Sequence, residues 1–290
     1  MCQIGCSVDI QQISGSELIL CIGLYDDLKL IDGGIYMYGK DELEHIYGEW
    51  MGEDIPQSKA TYEMMDFLES RCDNVVKPKL FHRYDDLTEE EKEYLHLSAK
   101  IVACHQKLNM MQFARKHAIE SRKEFETTQN MCCPALFGVD RTQILFYTES
   151  VVLFARNALD IAATFFAKLL LNVRTDNFND LTKKLINVKT DKYTAFKNYF
   201  EFIGEDSAHA FRLLCGATKG RALRDIIVHQ TNIDIEYSEY KEKSEKEKLF
   251  VFVKDVPVFE FDEFLTNLCD GVEEILMFMI GETCRLNAKE

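Results

Sequence analysis

Two long stretches dominate the pattern of apolar and polar positions. From Thr88 onward, apolar residues fall at Tyr94, Leu97, Ile101, Cys104, Leu108 and Met111. Steps alternating between three and four place all six on one helix face. A capping box, Thr88-Glu89-Glu90-Glu91, marks where this helix starts, and the pattern carries it past Phe125. A Met and Cys stripe of this kind reads as core that packs along another helix. The segment Cys132-Cys133-Pro134-Ala135-Leu136-Phe137-Gly138 breaks the pattern, because Pro134 disfavours helix just before it and Gly138 loosens the chain after it. A second long helix is predicted from about Thr142 to Asn172, with Ile144, Val151, Phe154, Ala158, Ile161, Phe165 and Leu169 on its apolar face.

Shorter helical pieces follow at roughly Asn177–Asn187, Lys192–Phe202 and Ser207–Val228. Ile233 to Tyr237 alternates like a strand, and Leu249 to Val253 reads as a returning strand across a charged loop at 239–248. The last helix begins near Asp262 and buries Leu265, Leu268, Cys269, Val272, Leu276, Met279 and Ile280. At the other end, Leu18–Tyr25 and Ile35–Tyr38 are β-friendly runs, and Asp32-Gly33-Gly34 is a hairpin-type turn. The expected fold is mainly α: a helical bundle with a small β-hairpin insertion. The boundary at 138 separates a mixed, helical N-terminal extension (1–138) from a helical domain (139–290).

Composition narrows the picture. Only 4 prolines and 14 glycines interrupt 290 residues, which favours long helices, and 47% hydrophobic content is enough for real cores. The first residues lack a basic group before an apolar run, so no secretory signal is expected. The most apolar helix is interrupted by Glu149, Arg156, Asp160 and Lys168, so no membrane span is expected, and a cytoplasmic protein follows. The 10 cysteines include no CxxC pair and match no usual zinc spacing; reduced core cysteines are the expectation, with no metal and no cofactor. The formal charge of −15 repels phosphate backbones, so any nucleic-acid function needs a local gathering of cations. Lys183, Lys184, Lys189, Lys192 and Lys197, with Tyr193, Phe196 and Tyr199 among them, form one such gathering; a lysine-rich outer helix face is the plain alternative.

One segment concentrates the candidate chemistry: Lys219-Gly220-Arg221-Ala222-Leu223-Arg224-Asp225-Ile226-Ile227-Val228-His229. Histidine titrates near neutrality and can take or give a proton, while arginine stays charged and presents a planar fork to phosphate oxygens. If the stretch is helical, Asp225 and His229 share a face, so Asp225 can hold one imidazole nitrogen and fix the tautomer. Arg224 then points about 140° away from His229. One chain therefore presents one arginine and one histidine, and two facing chains supply two of each. His96, His105 and His117 lie along the first long helix without a ligand cluster and read as structural or solvated.

The segment resembles the signature of the HEPN family, in which an arginine, often followed by a polar residue, precedes a histidine by four to six residues. Arg224, Asp225 and His229 occupy those positions, and the helices over roughly 140–288 resemble a HEPN bundle. The resemblance implies a metal-independent endoribonuclease that works as a homodimer on RNA, in the role of a toxin or antiviral effector. It also implies an antitoxin or other regulatory protein as a partner. Arg224, Asp225 and His229 would be catalytic, and Lys219, Arg221, Lys192 and Lys197 would bind RNA. A non-catalytic HEPN-like protein for dimerisation or nucleotide binding is the alternative. In some HEPN toxins a tyrosine two residues after the histidine is nucleotidylated by an antitoxin; here Thr231 stands there, with Tyr237 and Tyr240 further along.

Overall fold

The computed structural model describes residues 39–48, 54–72, 75–78, 86–129, 137–216, 222–229, 233–237, 249–252 and 258–287. Its helices are α1 (Lys40–Gly48), α2 (Lys59–Ser70), α3 (Glu89–Gln129), α4 (Phe137–Leu171), α5 (Phe178–Asn187), α6 (Thr194–Glu205), α7 (Ala210–Cys215), α8 (Leu223–His229) and α9 (Phe261–Asn287). A 3-10 turn, Asp191–Tyr193, leads into α6. The strands are β1 (Asp234–Tyr237), β2 (Leu249–Phe252) and β3 (Phe259–Glu260). The expected strand pair before residue 39, residues 132–136 of the expected helix break and the charged loop at 239–248 lie outside the described residues, while Phe137 and Gly138, expected to close that break, already belong to α4.

α3 starts as its sequence dictates. The Glu91 amide donates to the Thr88 hydroxyl (3.3 Å) and the Thr88 amide donates to the Glu91 carboxylate (2.9 Å). This reciprocal pair satisfies two N–H groups that a helix start leaves without partners. The six seam residues from Tyr94 to Met111 are all buried, and they pack along α4. α4 is buried on more than one face: Ala155, Ala158, Ala162, Ala163 and Ala167 are fully enclosed, as are Val151, Phe165 and Phe166. Alanine lets neighbouring backbones come close, which is how α3, α5, α7, α8 and α9 all reach this helix. It ends where Asn172 takes a left-handed turn (φ 51), with the Val173 amide reaching back to the Ala167 carbonyl at 3.3 Å. By length and composition the stretch Thr142–Leu171 could cross a membrane, with mean hydropathy 1.4, although 61% of that apolar window is buried inside the fold.

α9 closes the structure against α2, α4 and α7, burying every one of its predicted core positions. At Gly271 a Cβ would lie 2.6 Å from the Ala210 Cβ, so only glycine lets α9 meet the start of α7. At the α2 start, the Ser58 hydroxyl and the Ala60 amide both donate to the Glu273 carboxylate of α9, each at 2.8 Å. One hydrophobic cluster therefore runs from Leu43 in α1 to Ile280 in α9 and includes residues on both sides of position 138.

Two expectations need correction. Ser207–Val228 is not one helical piece: Gly216 sits at φ 74 and its amide returns to the Arg212 carbonyl (3.1 Å), ending α7 and leaving α8 separate. Glycine adopts this left-handed cap at little cost, so an apolar pattern that continues past it does not continue the helix. The β element is also a three-stranded antiparallel sheet ordered β1-β2-β3 rather than a lone hairpin. Ile235 pairs with Val251, and Val251 with Phe259; all three are buried, and the sheet lies against α9.

Because the α3 seam is α4's cover, residues 139–290 expressed alone should aggregate or lack a cooperative unfolding transition. Co-expression with residues 39–129 should restore solubility, as read by gel filtration and denaturant melts.

Candidate functional site

α8 is a single short stretch of seven residues, anchored by Leu223 and Ile226, which are buried against α4 and α7. That anchoring turns Arg224 outward, with 46% of its side chain exposed, and leaves Asp225 half exposed. The two form a loose ion pair at 3.9 Å. His229 is the last residue of the helix, one turn after Asp225. The expected pairing of the Asp225 and His229 side chains lies outside what the structure describes. Val228 on α8 and Phe146 on α4 are exposed apolar residues on two helices that pack together.

The proposed RNA-binding cations separate into two groups. Lys219 and Arg221 lie outside the described residues. Lys192 is exposed in the turn before α6, its Nζ 5.5 Å from the centre of the Tyr193 ring. Lys197 is exposed on α6 and lies 4.0 Å from Glu201. α6 packs on α5, α7 and α9, whereas α8 packs on α4 and α7. Lys197 and Arg224 therefore stand on different helices, both of which pack on α7.

Sequence reasoning missed the polar groups that hold this region. Arg156 of α4 is 4% exposed. Its guanidinium donates to both Asp160 oxygens (2.9 Å each), to Asn179 Oδ1 (2.9 Å) and to the Leu214 carbonyl (3.2 Å), with the Cys215 Sγ at 3.0 Å. Asn179 Nδ2 donates to the Cys215 carbonyl (2.9 Å), and Asp160 accepts the Phe178 amide (2.9 Å). A buried guanidinium needs this many acceptors to replace its water. Burial pushes the Cys215 thiol up to about 12, against the opposing pull of Arg156, so this cysteine is inert as a nucleophile. Farther along α4, Glu149 Oε1 accepts the Ile233 amide at 3.2 Å, just beyond the motif helix. The sequence signal for these residues was only their charge inside an apolar helix.

A concavity of about 560 Å³ is lined by Glu44, Gln57, Ser58, Lys59, Tyr62, Glu63 and Met277 and shares no residue with α8. Beside it, His105 is fully buried, its Nδ1 2.9 Å from the Thr61 hydroxyl and its ring edge-on to Tyr62. Among the described residues, no three His, Cys, Asp or Glu side chains converge as a metal site. Comparison with family models, curated proteins and solved structures yields no match to this chain.

Burial lowers His105 to about 4 from the usual 6.5, partly opposed by the Leu43 backbone. The unfolded chain then binds this proton first as pH falls. The contribution to stability is full above about 6.5 and is lost as pH drops towards 4, by up to about 3 kcal/mol. Urea melts across that range should show the slope in the parent, and His105→Gln should flatten it.

Proposed function

We propose that this protein is a metal-independent endoribonuclease of HEPN type that cleaves RNA as a homodimer. The observation that carries the reading is the placement of Arg224, Asp225 and His229 on one short helix, with Arg224 directed to solvent. An RNA strand brings its own nucleophile, the ribose 2′-OH. His229 of one chain removes that proton as the oxygen attacks the adjacent phosphorus. The imidazolium of the second chain protonates the departing 5′-oxygen, leaving a 2′,3′-cyclic phosphate. Arg224 steadies the charge on the crowded phosphate, and Asp225 orients the imidazole. Lys219, Arg221, Lys192 and Lys197 hold the strand. The second chain supplies the second histidine, and closed two-fold symmetry is the usual way for one motif to serve twice. Val228, exposed and apolar on the motif helix itself, supports an apolar contact there. The role as a toxin or antiviral effector, with an antitoxin or regulatory partner in the cytoplasm, rests on the HEPN resemblance alone.

A non-catalytic HEPN-like protein for dimerisation or nucleotide binding is the second reading. It is favoured by one observation: Arg224 already faces a counter-ion, Asp225, on its own helix.

Incubation with RNA in EDTA separates the two. Cleavage that persists and leaves 2′,3′-cyclic ends is expected, and His229→Ala or Arg224→Ala should each lower it by about 10²–10⁴-fold while the fold is kept. Parent-like cleavage by either variant would remove the site assignment. Light scattering should show a dimer that Phe146→Glu with Val228→Glu dissociates, with loss of cleavage; a fully active monomer contradicts the shared site.

A further inference from the structure

Seven residues are too few to hold a helix in place by their own hydrogen bonds. Leu223 and Ile226 anchor one face of α8, and the rest of its restraint comes from what grips the chain on either side of it. Both grips come from α4. Before α8, Arg156 binds the Leu214 carbonyl and lies 3.0 Å from Cys215 Sγ, fixing the end of α7 where Gly216 turns the chain. After α8, Glu149 accepts the Ile233 amide, fixing the start of the sheet. Glu149 and Arg156 are seven residues apart, two helical turns, so they hold the chain before and after α8 from neighbouring levels of one helix.

We propose that Glu149 and Arg156 are positioning residues that strap to α4 the chain before and after the motif helix and so set how Arg224 and His229 meet a phosphate. Neither acts on the substrate; each works through the backbone it holds. Arg156 is locked by Asp160 and Asn179, so its end of the strap is rigid. Glu149 is half-buried and holds its end through one oxygen, which makes it the adjustable one. Misplacement of reacting groups by about 1 Å can cost 10²-fold in rate without weakening binding.

The inference rests on the ribonuclease reading for its consequence in rate, but not for the strap itself. The test uses the full chain with Glu149→Ala and Glu149→Gln, read by RNA-cleavage kinetics and by amide hydrogen exchange over residues 222–229. Glu149→Ala should lower kcat by about 10- to 100-fold with KM unchanged, and should speed exchange across α8. Glu149→Gln keeps an accepting oxygen for Ile233, so both kcat and exchange should return to near parent values. Unchanged exchange in Glu149→Ala overturns the strap. A Gln variant as slow as the Ala variant, with parent-like exchange, also overturns it by making the carboxylate a proton-transfer group. If the parent chain cleaves no RNA, the ribonuclease reading falls, and the exchange comparison alone decides the strap.

Discussion

From Val151 to Leu170, α4 buries residues on several faces at once. Its enclosed alanines and aromatic residues need neighbours on several sides at once. α3 supplies the longest of these, laying its Tyr94-to-Met111 seam along it, and α9 supplies the next. The remaining helices take the directions left open. Arg156 adds a polar demand to this apolar one. Its guanidinium leaves water only because Asp160, Asn179 and the end of α7 converge on it, so those elements are bound to α4 by charge as well as by packing.

The candidate site inherits its geometry from that arrangement. α8 offers two buried anchors, Leu223 and Ile226, and an exposed arginine. Everything else that orients it belongs to other elements. Reading the motif as three residues on one helix therefore describes its chemistry but not its precision, which lies in the helix beneath. The separation between α8 and the lysines of α6 has a similar meaning. In the proposed ribonuclease, a strand reaching from Arg224 to Lys192 and Lys197 would pass between elements joined through α7.

What was legible in the sequence follows from the range of the interactions. The Thr88–Glu91 capping box and the α3 seam depend on residues three and four apart, so their pattern is visible in a short window. The seven core positions of α9 were readable for the same reason. Gly216 was not recognised as a helix end because the apolar pattern runs across it, and only its φ of 74 reveals the turn. β3 is two residues long, too short for any alternation to show. The Arg156 and Glu149 contacts join residues 58 and 84 positions apart to Leu214 and Ile233, beyond the reach of any local pattern. The Arg224, Asp225 and His229 spacing was readable, but its supports were not.

The cap on α2 has a consequence for the order in which the chain can fold during synthesis. Ser58 and its acceptor Glu273 are 215 positions apart. When α2 leaves the ribosome, the carboxylate that completes its first turn does not yet exist, and neither does the α9 surface it lies on. Until α9 has been made, α2 can pack on α1 and α3, but the surface it gives to α9 stays uncovered. Closure at the α2 start is thus governed by the arrival of α9, a contact of long sequence separation.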